Sequence, residues 1–425
     1  MPKKTIIILG GGISGLTIAY DLAKHQDRFQ IRLIEKSDHL GGWIDTDTST
    51  GFFFEKGPRV FRGSRSPHFL ALTKEAGLHP ELIESRKEGQ SRYLWKDGKL
   101  RRLPILSWDL VKGVMNDWKK APLLTEDESV WDFACRRFNR RVAEDIFDPM
   151  VTGIFGGDIR KLSARSCFPL YKKMEEQHGS IIKGLLKREK FKGPHMFGFQ
   201  RGMKSVIGRL QELTPIRYHL DEEVTSIVPK GEKFEVKTSK GSYEADYLFS
   251  ALPAPVIGKL LIQELAHLPM EGAMIVNLGY AKNVLNKKGF GYLVSTKEKE
   301  DVMGVIFNSN SFPHYNRQPK ETRLTVKLKD LDISENEART QALKGIAKHL
   351  GIIEKPDVSM VIRAPQVFPQ FLMGHQDRMS ALEKKLEAQY PHLKLAGNYL
   401  YGVGVNDCIA RARSVVESFL STTAS

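Results

Sequence analysis

Residues 1–60 hold the feature that most limits what this chain can fold into. They contain an apolar run, a glycine-rich turn, a helix, and a second apolar run closed by an acid. Thr5, Ile6, Ile7, Ile8 and Leu9 form a short apolar stretch cut off by glycine, the pattern of a buried strand in a parallel sheet. Gly10, Gly12 and Gly15 then satisfy G-x-G-x-x-G, with Gly11, Ile13 and Ser14 between them. In a dinucleotide site the first glycine permits the tight turn, the second admits a pyrophosphate, and the third lets the next helix pack on the sheet. That helix, beginning near Ser14, would present its N-terminal amides to phosphate. Residues 31–34 read as the next strand. Glu35, followed by Lys36, closes it about 20 residues past the fingerprint, where a carboxylate accepts ribose hydroxyls. The glycines alone are a weak signal, but here strand, helix, strand and acid all fall in the required order.

At 425 residues the chain is long enough for two or three domains around a large core. Its longest apolar stretches fall short of a membrane span, and the first strand starts close to the initiator Met. Neither a transmembrane helix nor a signal or transit peptide is therefore expected. Cys135, Cys167 and Cys408 are too few and scattered for a disulfide framework or a zinc site. A reducing compartment and no metal are the expectation. The net charge of +15 is concentrated, since residues 86–204 carry 26 Lys and Arg against 15 Asp and Glu. Such a field favours anionic partners, and with no nucleic-acid motif in the chain, nucleic acid is set aside.

Phe69, Leu70, Leu72 and Ala76 predict a short helix ended by Gly77. Residues 93–100 predict a hairpin with an Asp97-Gly98 turn, which we expect at the border between domains. Residues 107–190 read as helical and basic, with helix starts at Ser107 and Ser129 and an interruption at 153–158. Within them, residues 180–190 place Ile181, Ile182, Leu185 and Leu186 on one face flanked by lysines. That face suits either a membrane interface or a surface docked on its own domain. Strands are expected at 216–220, 223–228, 234–238, 243–245 and 247–250, then at 275–279, 292–294, 302–307, 323–328 and 358–364, with a helix at 334–350. Near the C-terminus, Asn398 through Val403, Gly404 and Val405 repeats the form of strand, glycine-rich turn and helix start. Such a helix would aim a positive N-terminus at a second electron-rich acceptor.

Further motifs carry a family resemblance. Leu40-Gly41-Gly42-Trp43 and Gly57-Pro58-Arg59-Val60 follow the ribose acid as in flavoproteins of the amine oxidase type. Gly153-Ile154-Phe155-Gly156-Gly157-Asp158, Arg165-Ser166-Cys167-Phe168-Pro169, Gly289-Phe290-Gly291, Pro369-Gln370 with Gly374-His375, and Val405-Asn406-Asp407-Cys408 are more specific. With these motifs the chain resembles, nearly end to end, the oxygen-dependent, FAD-containing protoporphyrinogen oxidases of haem synthesis.

That resemblance implies an α/β and α+β architecture. A Rossmann-like FAD domain would come from residues 1–88, 200–265 and 385–425, a helical basic membrane-binding insert from 89–199, and a substrate domain with a mixed sheet from 266–384. It implies FAD as cofactor, a porphyrinogen and O2 as reactants, an anionic membrane surface as partner, and ferrochelatase as pathway neighbour. It also implies a cytoplasmic chain peripheral to a bacterial inner membrane, or one at the mitochondrial inner membrane. Monomer and homodimer stay open. Six electrons would leave the porphyrinogen in three flavin turnovers, each yielding H2O2. The flavin does the chemistry, so no catalytic side chain is assigned, and His375 and Cys408 are read as structural.

Residue by residue, the resemblance assigns Gly10, Gly11, Gly12, Ile13, Ser14, Gly15, Glu35, Lys36, Gly42, Trp43, Gly57, Pro58, Arg59, Val60, Val224, Asn398, Val403, Gly404 and Val405 to the cofactor. It assigns Arg92 to a substrate propionate, Phe290 and Leu293 to a sandwiched pyrrole, and Gly153 to close approach of the macrocycle. Lys327 departs from the pattern, standing where human-like members carry Met. Strand alternation sets it with Thr325 and Lys329, opposite Leu324, Val326 and Leu328. It either lines the pocket, making it more tolerant of carboxylates so that coproporphyrinogen III, with four propionates, competes with protoporphyrinogen IX, or faces solvent. The competing readings are a flavin amine oxidase or desaturase, and a non-catalytic module like the GDP-dissociation inhibitors.

Overall fold

The computed structural model describes residues 3–123, 127–189, 191–329 and 332–423. Its first layer is a five-stranded parallel sheet in the order Arg217–His219, Phe29–Ile34, Lys4–Leu9, Tyr247–Ser250, Leu393–Leu395. Ile6, Ile7, Ile8 and Leu9 are fully buried, as an uninterrupted apolar strand must be when both faces of its sheet are covered. One face carries the helices Ile13–Leu22, Lys204–Glu212 and Val405–Thr423, packed through Leu16, Ile18, Leu210, Ile409 and Phe419. The other carries an antiparallel three-stranded sheet, Val224–Lys230, Lys233–Thr238 and Ser242–Ala245. Helix His375–Gln389 joins that face, with Met379, Leu382 and Leu386 in the same core as Ile227 and Val236.

A second, seven-stranded sheet runs Val358–Pro369, Met270–Tyr280, Thr322–Lys329, Val302–Phe307, Gly291–Val294, Arg92–Lys96, Lys99–Arg102. It is mixed, because Gly291–Val294 and Arg92–Lys96 pair in parallel while its other neighbours are antiparallel. Helix Glu335–Leu350, opened by a Ser334/Glu337 capping box, buries Ala338, Ala342 and Ile346 against Leu324, Val326 and Leu328. The opposite face of the sheet, bearing Thr325 and Lys327, turns toward the cofactor domain and helix Asp148–Phe155. On that side Arg323 Nη1 reaches Phe53 O at 3.2 Å.

The segmentation differs from the sequence reading in three places. The hairpin Arg92–Lys96/Lys99–Arg102 is not a border element; hydrogen bonding to Gly291–Val294 makes it the edge of the second sheet. Met196–Phe199 pairs with Phe61–Arg62 and Leu82–Glu84, tying the end of the helical segment to the first domain. Helix His375–Gln389 packs with the cofactor core along its whole length, so no boundary falls at 385. Each difference has one cause: periodicity reports that a strand or helix exists but not which distant partner buries it.

The helical segment packs around Phe133, Phe138, Phe147, Phe155 and Phe168. Its helices are joined by a buried charge pair. Arg137 Nε donates to Asp117 Oδ1 at 2.6 Å, and both side chains are fully buried. Arg137 Nη2 also donates to Asp117 O and Gly179 O, while Asp117 Oδ2 accepts from Ser180 Oγ at 2.6 Å and Ile182 N at 2.9 Å. One carboxylate thus links helix Trp108–Lys119 to Val130–Arg137 and supports the start of Ile181–Lys187. The amphipathic face expected at 180–190 is divided: Ile181 is buried, Leu185 and Leu186 are exposed, and Lys190 lies outside the described residues. Asp117→Ala removes the nearer of two carboxylates from buried Arg137, leaving Glu175 Oε1 at 3.5 Å, and should cost about 3 kcal/mol. Urea unfolding followed by the fluorescence of Trp108, Trp118 and Trp131 measures that loss.

Candidate active site

The glycine-rich turn follows Lys4–Leu9 at the C-terminal edge of the parallel sheet, where open α/β sheets bind ligands. Gly10 N donates to Ile34 O at 2.8 Å, which ties the turn to the neighbouring strand. A Cβ on Gly15 would stand 1.9 Å from Gly10 O, so only glycine lets helix Ile13–Leu22 lie this close. A Cβ on Gly12 would meet nothing within 4 Å, the open approach that a pyrophosphate needs beside a helix N-terminus. Ile13 and Ser14 are buried behind it.

Glu35 sits one residue past the second strand. Its Oε2 accepts from Gly11 N at 2.7 Å and its Oε1 from Ser37 N at 2.9 Å, so the carboxylate is held at the end of the glycine turn. Lys36, beside it, is exposed. Glu222 N bonds Glu35 O at 2.9 Å, which brings Val224 and its strand to the same corner. The Gly41 and Gly42 turn is attached through Gly41 N to Gly11 O at 2.9 Å, and Trp43 is exposed beyond it.

Gly57, Pro58, Arg59 and Val60 form the next wall. Arg59 Nε and Nη2 both donate to Gly57 O, which folds the side chain over its own turn, while Nη1 is buried with no hydrogen-bond partner. Burial lowers the guanidinium to about 10, and Glu55 opposes that shift. Glu55, bonded to Met203 N and Thr46 Oγ1, is itself raised to about 7 by burial.

The C-terminal turn arrives from the last parallel strand. Asn398 Nδ2 donates to Val367 O at 3.1 Å, and Val403, Gly404 and Val405 are half-buried at the N-terminus of helix Val405–Thr423. Helices Ile13–Leu22 and Val405–Thr423 pack on each other, with the Cys408 thiol hydrogen-bonded to Ser14 and raised to about 12 by burial. His375 Nε2 meets Leu400 O at 2.9 Å, its ring stacks on Phe371, and burial lowers its pKa.

On the second sheet, Phe290 carries Arg92 over its ring at 5.4 Å, and Arg92 lies opposite Gly291 in register. Leu293 pairs with Gly304, and a Cβ on Gly153 would reach Leu293 Cδ2 at 2.6 Å. Lys327 lies opposite Gly304 on the next strand. Its Nζ donates to Gly153 O at 2.8 Å and sits 4.2 Å over Phe368, so the solvent-facing alternative does not hold. Burial, then the nearby Arg59 charge, lowers its ammonium to about 8. Arg59 of the first domain is therefore near enough to Lys327 of the second to depress its basicity, and Gly153 and Leu293 pack beside Lys327.

Residues 13–418 match the model of the flavin containing amine oxidoreductases. The chain belongs to that family. It is 31% identical over 478 residues to human protoporphyrinogen oxidase, covering 99% of each chain. It is 26% identical over 465 residues to the coproporphyrinogen III oxidase of Bacillus subtilis, with 99% and 98% coverage. A crystal structure from Exiguobacterium sp. 255-15, provisionally assigned as a protoporphyrinogen oxidase, superposes with a TM-score of 0.88 at 24% identity over 100% of both chains. FAD is the cofactor. The residues present suit it: an open glycine turn, an anchored acid, an orphaned guanidinium and a second helix N-terminus.

The sequence reading missed Phe368, which carries the Lys327 cation. It also missed the buried chain in which Asn308 Nδ2 donates to Thr325 Oγ1, and Thr325 Oγ1 to Asn277 Oδ1, at 2.7 and 2.6 Å. Alternation along 322–329 does place Thr325 beside Lys327, but its partners come from other strands. Gly15→Val should abolish cofactor retention, because the added carbons must displace the first turn. The ratio of flavin to protein absorbance in the purified variant, expected below about a tenth of wild type, checks it.

Proposed function

We propose that this chain oxidises protoporphyrinogen IX to protoporphyrin IX in haem synthesis, removing six electrons and reducing three O2 to three H2O2. The observation that carries the reading is the grouping of Gly153, Leu293 and Lys327 on the substrate side within electrostatic reach of Arg59 on the cofactor side. Bound FAD supplies the electron acceptor and passes electrons to O2. Phe290 and Leu293 hold a pyrrole ring, Arg92 takes a propionate at the outer end, and Gly153 leaves the macrocycle room to approach. Orientation and exclusion of water are the protein's contribution.

A second substrate, coproporphyrinogen III, is favoured by Lys327. A cation held at Gly153 O on the substrate side suits a tetracarboxylate better than a dicarboxylate. With its amine near pH 8, Lys327 is protonated below that pH and neutral above it. The advantage for the tetracarboxylate is therefore present at pH 7 and fades through pH 9. Anaerobic mixing of the FAD-loaded protein with either porphyrinogen should bleach the flavin, and air should restore it with porphyrin fluorescence. In Lys327→Met the ratio of the two kcat/KM values should fall and lose its pH dependence. No bleaching by either porphyrinogen would reject the oxidase reading, and equal ratios in both proteins would reject the role of Lys327.

The helical segment docks the enzyme on an anionic membrane in this reading. No helix among the described residues is long and apolar enough to cross a membrane. Helix Trp108–Lys119 turns Trp108, Val111, Met115 and Trp118 outward, with Trp108 80% exposed, and Leu185 and Leu186 extend that surface. The two helices touch where Lys183 lies 5.2 Å over Trp118. Lys112, Lys119, Lys120 and Lys187 are exposed around them, the arrangement of apolar belt and cationic rim that binds acidic headgroups. Trp108→Glu with Trp118→Glu should lower co-sedimentation with phosphatidylglycerol vesicles about tenfold or more. Undiminished binding would remove the membrane surface from this segment.

A further inference from the structure

Four arginines from three distant parts of the chain lie within electrostatic reach of one another, Arg92 among them on the second sheet. Arg62 ends the Phe61–Arg62 strand, Arg65 closes the Gly63–Arg65 turn, Arg92 opens Arg92–Lys96, and Arg188 follows helix Ile181–Lys187. Arg188 Nη2 donates to Ser64 O at 2.9 Å, and Arg65 Nη2 donates to Tyr171 OH at 3.4 Å. Arg62 and Arg92 both lose basicity, first through burial and then through neighbouring arginines: Arg65 for each, Arg188 for Arg62, and Arg62 for Arg92. None of the four forms an ion pair with a carboxylate among the described residues. Several other arginines of the chain pair with carboxylates: Arg413 with Glu75, Arg201 with Glu81, Arg317 with Glu321.

Like charges gathered without a counter-charge oppose folding, and guanidinium forks so placed suit planar oxyanions. Arg92 connects the cluster to the substrate side through Phe290 and the Gly291 register. From Arg92 to Lys327 the path crosses three strand spacings and two residues along a strand, about 16 Å. A tetrapyrrole with its acid side chains spans such a distance.

We propose that Arg62, Arg65 and Arg188 form, with Arg92, a clamp for the two adjacent propionate carboxylates of a porphyrinogen, fixing which edge of the macrocycle stays outermost. This rests on the porphyrinogen reading and extends it from one arginine to four. The occupant is a small polyacid, because the cluster reaches the substrate side through Arg92 and Phe290, whereas the apolar surface suited to lipid lies on other residues.

The test titrates the FAD-loaded protein with coproporphyrin III, a stable tetra-acid, and with its tetramethyl ester, following fluorescence quenching at low and high salt. R62Q/R65Q/R188Q should weaken binding of the acid about tenfold or more, leave binding of the ester unchanged, and flatten the salt dependence. R65Q and R188Q, each at an exposed position, should each weaken it about threefold, so the test survives misfolding of the triple variant. Unchanged acid binding in variants that retain FAD would overturn the clamp, as would equal affinity of wild type for acid and ester. Loss of phosphatidylglycerol vesicle binding with porphyrin binding intact would assign the cluster to lipid and overturn it too. Wild type bleached by porphyrinogen beside insensitive variants rejects only the clamp; wild type that neither bleaches nor binds porphyrin rejects the oxidase reading itself.

Discussion

The contact between Gly15 and Gly10 O sets the rest of the cofactor side. A helix whose backbone lies this close to the end of a strand can take only one position, and its amides are then aimed before any ligand arrives. Leu16 and Ile18 of that helix enter the core shared with Ile409 and Phe419 of Val405–Thr423, so the position of the first helix is passed to the second. Two helix N-termini separated by almost the whole chain are thereby fixed against one sheet edge. The acid between them is equally constrained: Glu35 takes hydrogen bonds from Gly11 N and Ser37 N and stands ready-oriented. Preorganisation of this kind spares the cost of ordering on binding.

Much of the cofactor side was legible in the sequence because its determinants are local. A fingerprint of six residues, a strand on each side and an acid at fixed spacing carry their own geometry, and the structure places Gly10, Gly12, Gly15 and Glu35 as the motif requires. The substrate side is built from non-local pairings. Arg92–Lys96 was legible as a hairpin strand, but its partner lies about two hundred residues away at Gly291–Val294, and only that pairing puts Arg92 beside Phe290. The outward stripe of Trp108, Val111, Met115 and Trp118 was obscured for another reason. Helical periodicity shows an apolar face without saying whether protein or solvent meets it.

Three treatments of charge distinguish the parts of the molecule. In the helical segment Arg137 and Asp117 are both fully buried and satisfy one another with further bonds to Gly179 O and Ser180 Oγ. Such a network specifies helix positions more than it adds stability. On the substrate side, Lys327 has a carbonyl and a ring instead of a counter-ion, and its basicity falls accordingly. At the outer cluster the arginines have no carboxylate partner among the described residues. Charge in the helical segment is thus neutralised internally, while the cluster is proposed to be neutralised by substrate.

That gradient bears on how a flat macrocycle is held. Apolar walls such as Leu293 and Phe290 can grip a ring face but cannot distinguish one rotation of a near-symmetric tetrapyrrole from another. Charged edges can, because carboxylates are distributed unevenly around the ring and each misplaced one would be desolvated without a partner. In the proposed reading, cations at both ends sort substrates by number and position of acids. With an uncharged residue at 327, only the outer end would sort, and the inner end would accept whatever fits. In the proposed reading, Lys327 changes which property of the substrate is read while the cofactor side beside it keeps its glycine turn and anchored acid.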